Sequence, residues 1–229
     1  MLSGHEPLRH LAQVIDDVCV IKSMHTDAIN HDPAATLFQT GSVLPGRPSM
    51  GAWVSYGLGS GNANLPAFVA LTSNGRAKAG QPLYDRLWGA GFLPSVYQGT
   101  HFRPTGEPID NLKRPKEMNA KQQRRQLDLL KTLNQQHFEA NPFEESLAAR
   151  IESFELAYRM QSAAPEALAV DKEPAHIRAL YGMDDDKCKH FATQCLTARR
   201  MVERAVRFIQ IYSGCIENQR SWDGHNALP

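Results

Sequence analysis

The run Val18-Cys19-Val20-Ile21, followed by Met24-His25-Thr26-Asp27-Ala28-Ile29-Asn30-His31-Asp32-Pro33 and then by Gly46-Arg47-Pro48-Ser49-Met50-Gly51-Ala52-Trp53, decides how this chain is read. Consecutive apolar residues bounded by polar ones predict a short buried strand over 18–21. Two histidines, two aspartates and an asparagine then crowd into residues 25–32 beside Thr26. Polar, metal-capable groups just past a buried strand are where an α/β enzyme keeps its chemistry. A second apolar run, Val206 to Tyr212, precedes a second cluster, Trp222-Asp223-Gly224-His225-Asn226. If the two runs are parallel neighbours, His25, Thr26, Asp27, His31, Asp223 and His225 share one edge of a sheet.

Working outward, Leu8, Leu11, Val14 and Ile15 recur at helical steps and predict a short amphipathic helix over 7–17. Pro33 suits a helix start with Asp32 as its cap, and Gly41 suits its end. Ser49 caps a second short helix through Leu58. The glycines of Gly57-Leu-Gly-Ser-Gly61-Asn62 do not make a dinucleotide loop, because Asn62 stands where glycine is needed and the preceding element is helical. They read as a helix-terminating loop. Leu65 to Leu71 and Gly91 to Tyr97 are further strand candidates. Two amphipathic helices follow, Met118 to Glu139 and Phe143 to Ala163, with a break at Ala163-Ala-Pro165. A short helix then runs from Glu173 to Gly182, and a long one opens at Asp184 to Asp186. Strands separated by helices predict an α/β fold, a mainly parallel sheet with helices on both faces. Residues 107–182 read as a helical insertion or subdomain within a single domain over 1–229.

With 229 residues, 42% of them apolar and 21% charged, the chain has the composition of an ordinary globular protein with a sizeable core. Lysine and arginine total 25 against 24 acidic residues, so no net field attracts nucleic acid or an anionic membrane. The basic run Lys121 to Arg125 reads as a solvated helix face. No window approaches the ~20 apolar residues that span a bilayer, and the first residues show no export signal. Cys19, Cys188, Cys195 and Cys215 form no C-x-x-C pair and read as buried free thiols.

Carboxylate oxygens mixed with imidazole nitrogens suit Zn²⁺ or a similar divalent ion. A hydroxyl such as Thr26, held near that ion, would lose its proton more readily and act as a nucleophile. Arg47, the lone charge between Pro33 and Gly75, is a candidate anion contact. The competing reading is local: Asp, Asn and His near strand ends also serve as caps and turn formers that bond their own backbone. Lone histidines at 10, 101, 137, 176 and 190 read as surface or core residues.

Ser23-Met-His-Thr-Asp27, Asn30-His-Asp-Pro-Ala34, Gln39-Thr-Gly41, the run Gly46 to Gly59, Leu65-Pro-Ala-Phe68 and Ser221-Trp-Asp-Gly-His-Asn226 resemble the bacterial family catalogued as domain of unknown function 1501. That family is grouped with the alkaline phosphatase and sulfatase superfamily. The resemblance implies a doubly wound α/β core, here partial, and divalent metal, zinc or calcium. It implies attack by a Thr, Ser or modified Cys on a sulfate or phosphate ester of a small molecule or polysaccharide. By position it makes Thr26 the candidate nucleophile with Asp27 and Asn30 beside it, and Asp223 with His225 the metal pair; the shared sheet edge adds His25 and His31 as candidate metal ligands. Family members carry a twin-arginine signal for export to the periplasm, an early Gly-Gly-Pro-Ser segment, and later Gly-Glu-Phe-Gly-Arg and Asp-His segments. None of these stands in this sequence, so the expectation is an internal portion of such a protein. A binding or scaffold protein that keeps the fold without the chemistry is the alternative.

Overall fold

A computed structural model describes residues 9–72, 84–103, 107–109, 112–140 and 145–213, the side chains of 9, 145–148 and 150 excepted. Its centre is a sheet of three parallel strands, β1 (Phe68–Thr72), β2 (Thr100–Phe102) and β3 (Phe208–Tyr212), in the order β2-β1-β3. Val69 stands opposite Thr100 on one side and Ile209 on the other. Every residue of β1 is buried, as expected of a central parallel strand covered on both faces. The fold is therefore mixed α/β, with helices α1 (Arg9–Gln13), α2 (His31–Thr40) and α3 (Met50–Leu58) before the sheet. Helices α4 (Ala120–Ala140), α5 (Glu145–Ala167), α6 (Ala175–Tyr181) and α7 (Lys189–Val202) lie between β2 and β3.

The alternation of side chains along β1 divides the core in two. Val69 and Leu71 pack with Phe102, Met160 and Ala164 of α5 and Ala198 and Met201 of α7. Phe68 and Ala70 pack on the other face with Leu87 and Trp88, which belong to the β1-to-β2 connection. One crossover thus passes over one face toward β2, and the other passes over the opposite face back to β3. Reversing both face and direction leaves the two crossovers with the same hand, as parallel connections require.

Two strand expectations hold with shifted ends, 65–71 as β1 and 206–212 as β3. Two do not. Residues 18–21 form no strand: Val20 and Ile21 are 58% and 65% exposed, and neither neighbour of β1 in the sheet comes from that segment. An apolar run becomes a strand only where a ladder partner satisfies its backbone. Residues 95–97 form a 3-10 turn, and the strand starts only at Thr100. Here Gly99 lies flat against the Phe68 ring, which a β-carbon would meet at 2.8 Å.

Helix ends follow local chemistry. Asn30, rather than Asp32, caps α2, its side chain accepting from the His31 N–H at 2.7 Å. Pro33 then falls within the first turn, where its missing N–H has no intrahelical partner to lose. Gly41, at φ +72°, closes that helix as expected. Ser49 caps α3, accepting from Ala52 N–H, and Gly59 ends it. Pro165 does not break α5, which continues to Ala167. Only the carbonyl of Gln161 loses its donor there, and Arg200 of α7 takes the Ala167 and Glu166 carbonyls at the helix end.

Cys19 and Cys188 are exposed free thiols, contrary to the expectation of burial. Cys195 is partly buried, and burial pushes its thiol pKa up. The run Lys121 to Arg125 is a largely solvated helix face, with Arg124 turned onto Glu155 and Asp128.

Candidate functional site

Parallel strands bring their carboxyl ends to one edge, so Thr72, Phe102 and Tyr212 close the three strands side by side. Leu87 and Trp88 of the β1-to-β2 connection pack on one face of the sheet and α5 and α7 on the other, so the strand order reverses direction between those two ends. At that junction Thr72 Oγ1 lies 3.0 Å from His101 Nε2. The Trp88 indole stacks on the imidazole at 5.0 Å between ring centres, and the Tyr212 ring packs tilted against Trp88 at 5.7 Å. Gln194 of α7 donates to the Thr72 carbonyl at 3.0 Å and fixes the strand end from the other face. Burial holds the His101 pKa below its ordinary value, with Asp85 opposing the shift and Arg103 adding to it. Burial also pushes the Tyr212 phenol upward, and its hydroxyl donates to the Leu87 carbonyl at 3.4 Å.

Arg86 joins this edge to the first polar cluster. Its Nη2 pairs with Asp32, its Nε donates to Thr36 Oγ1 at 3.2 Å, and its guanidinium lies 4.0 Å over the Tyr84 ring. Asp32 and Thr36 sit near the start of α2, and Leu87, next to Arg86, takes the Tyr212 hydroxyl. The start of α2 is therefore linked, through Arg86 and Leu87, to the residue that closes β3. Farther along α2, Gln39 accepts from the Gln210 side chain of β3.

His25, Thr26 and Asp27 lie on an exposed, irregular stretch, and His31 is exposed at the first position of α2. Thr26 Oγ1 accepts from the Ala28 N–H at 3.1 Å, and Asn30 is the helix cap, so both make the local bonds of turn formers. Arg47 is exposed. Its backbone is held against Gly91, where a β-carbon would sit 2.4 Å from the Arg47 carbonyl carbon. Asp223 and His225 lie outside the described residues. Among the described residues no three His, Cys, Asp or Glu side chains converge as a metal cage, so those present do not by themselves hold a zinc or calcium ion.

Sequence reasoning passed over Thr72, His101 and Arg86. The available signal was the switch from apolar to polar at Thr72, and a histidine between Gly99 and Phe102. Only the register that sets His101 opposite Ala70 brings those two together.

A family model described as Protein of unknown function (DUF1501) matches residues 3–229, and the chain belongs to that family. Among curated proteins and solved structures nothing matches it.

Proposed function

We propose that this protein works as a metal-dependent hydrolase of sulfate or phosphate esters, of the alkaline phosphatase and sulfatase type, on a doubly wound core. The observation that supports the reading is the link from α2 through Arg86 and Leu87 to Tyr212. It ties the segment carrying His25, Thr26, Asp27, Asn30 and His31 to the carboxyl end of β3. The sequence continues from β3 to Asp223 and His225. In this reading Thr26, oriented by Asp27 and Asn30, would attack the sulfur or phosphorus of the ester. The bond to the alcohol would break with the Thr26 proton passing to the leaving alcohol, and water would then release the anion from Thr26, with Arg47 contacting the anionic group. Asp223 and His225, with His25 and His31, supply the donors for a divalent ion, zinc or calcium. Such an ion polarises the ester oxygen and acidifies the attacking hydroxyl. The described residues alone fall short of that donor set, so the reading stands on the 223–225 segment.

The test is metal content by mass spectrometry together with hydrolysis of aryl sulfates and phosphates. Asp223→Ala and His225→Ala are expected to lower both bound metal and turnover. Unchanged metal content removes those residues from the centre. A second reading, a binding protein that keeps the fold without the chemistry, is favoured by the local bonds of Thr26 and Asn30. It predicts no turnover at any metal concentration. No described helix is long and apolar enough to cross a membrane.

A further inference from the structure

Helix α3 carries two glycines in its interior, and only one of them has a reason within the described residues. A β-carbon on Gly51 would meet the Phe68 ring at 2.5 Å, so this glycine lets the helix lie flat on the core. A β-carbon on Gly57 would meet nothing within 4 Å, and Gly57 is not among the glycines with positive φ. Glycine is one of the least favourable residues inside a helix, and here neither packing nor backbone conformation calls for it. Gly51, Ala52 and Ser55 form the buried side of α3. Met50, Trp53 and Gly57, at steps of three and four, share the side that faces outward.

That outward side belongs to an aromatic surface. Met50, Trp53, Tyr56, Leu58 and Phe92 are between 45% and 68% exposed. The rings hold one another edge to face: Trp53 meets Tyr56 at 6.1 Å and Phe92 at 5.7 Å, and Tyr56 meets Tyr97 at 5.3 Å. With about 150–250 Å² to a large side chain, the uncovered fractions amount to an apolar patch on the order of 600 Å². Rings already fixed by one another have little rotamer freedom left to lose on association. Residues 48–72 and 87–100, which build the patch, contain no Asp, Glu, Lys or Arg.

Aromatic side chains and methionine without charge are the composition of a protein–protein interface core. Two features select a second copy of this chain as the partner. In a two-fold contact each patch faces itself, so a charge near the axis would meet its own like, and this patch has none. The gap over Gly57 and the Trp53 ring one turn before it are a hole and a knob on one helix face, the self-complementarity that such a contact needs. We infer that the protein forms a two-fold dimer through the outer face of α3, the two helices crossing antiparallel with the Trp53 ring of each over Gly57 of the other. The missing β-carbon lets the ring reach the helix backbone, and Tyr56, Phe92 and Tyr97 flank the crossing. A stable interface takes about 800 Å² per partner, so the patch supplies its apolar core and a polar rim supplies the rest.

The inference does not rest on the ester-hydrolase reading. It is tested by sedimentation velocity of the intact chain from low to several hundred micromolar. The expected result is a reversible monomer–dimer equilibrium with a micromolar dissociation constant. Gly57→Ala should weaken the dimer at least tenfold, yet raise the thermal midpoint when both proteins are compared at monomeric concentrations. A glycine of purely intramolecular significance would give no such loss of dimer. Met50→Glu with Trp53→Gln should abolish the dimer while the far-ultraviolet spectrum stays unchanged. Leu180→Glu, at a site 79% exposed on α6, should leave it intact. A chain that stays monomeric throughout would overturn the inference, and its binding to neutral phosphatidylcholine vesicles would then assign the patch to a lipid surface. A dimer undisturbed by both α3 variants, or weakened equally by Leu180→Glu, would overturn it as well.

Discussion

Arg200 is the most buried cation with described partners, and removing it should test how the α5–α7 face of the core is held. Its side chain is 9% exposed and that of Glu173 12%, and the two form an ion pair. Nε donates to the Ala167 carbonyl at 3.0 Å and Nη2 to the Glu166 carbonyl at 2.7 Å, so the same guanidinium closes the end of α5. Arg200→Met keeps most of the stem's packing but leaves a buried carboxylate without its counter-charge and two carbonyls without donors. Breaking such a pair from one side costs about 3–5 kcal/mol. With a urea m-value of about 2 kcal/mol/M, the midpoint should fall by roughly 2 M.

The double variant Arg200→Met with Glu173→Gln removes the orphaned charge and should recover about 2 kcal/mol of that loss. Arg200→Lys keeps the charge but not the planar fork. One ammonium cannot serve two carbonyls and a carboxylate in the same geometry, so it should fall between wild type and Arg200→Met. Equilibrium urea unfolding followed by tryptophan fluorescence reads all three. A cost below about 1 kcal/mol for Arg200→Met, or a double variant no more stable than the single, would refute the argument that an uncompensated buried charge sets the penalty.

Gly91 stands at φ +57°, and a β-carbon there would lie 2.4 Å from the Arg47 carbonyl carbon and the Pro48 nitrogen. Gly91→Ala should therefore cost about 3 kcal/mol, by backbone strain and clash together, measured by the same unfolding assay. A cost near zero would mean the loop moves freely from Arg47. His101 gives a pH dependence whose sign follows from its lowered pKa. The unfolded chain binds the proton at a higher pH than the folded one. Stability is then full above the ordinary imidazole value of about 6.5 and declines as pH falls from there toward the folded value. His101→Gln should flatten that part of the stability–pH curve, and an unchanged slope would assign it to another group.

The mixed α/β class with a parallel sheet and much of the helix boundary detail are legible, because element type and helix ends depend on near neighbours in sequence. Ser49 caps α3 and Gly41 ends α2 through bonds that span at most a turn. The run 206–212 reads as a strand because β-branched and aromatic residues alternate with polar ones, and it pairs where β1 offers a ladder. Val18 to Ile21 carry an equally local signal, a run of consecutive apolar residues, and form no strand, because pairing is a tertiary event that four residues cannot announce. The helix cap was misplaced by two residues for a similar reason. Asp32 has a capping side chain, but Arg86, far along the sequence, claims its carboxylate and leaves the role to Asn30. The Thr72–His101 contact is not legible from either residue alone: the end of the apolar run marks Thr72, but only the β1–β2 register makes His101 its neighbour.

This changes what the shared edge rests on. The sequence puts the convergence of the two polar clusters in backbone pairing, through two parallel strands lying side by side. In the structure the strand partner of β3 is β1, and the start of α2 reaches the carboxyl end of β3 by side chains, through Asp32, Arg86 and the Leu87 carbonyl. A ladder holds its register through every backbone bond, whereas this tether runs through two side-chain links, the Arg86 guanidinium and the Gln39–Gln210 pair. The sheet core, built from Val69, Leu71, Met160 and Met201 on one face and Phe68 and Trp88 on the other, has no need of Arg86 to form. Arg86→Met should therefore loosen the start of α2 from the end of β3 while Ala35 and Gln39 still hold the rest of the helix to the sheet.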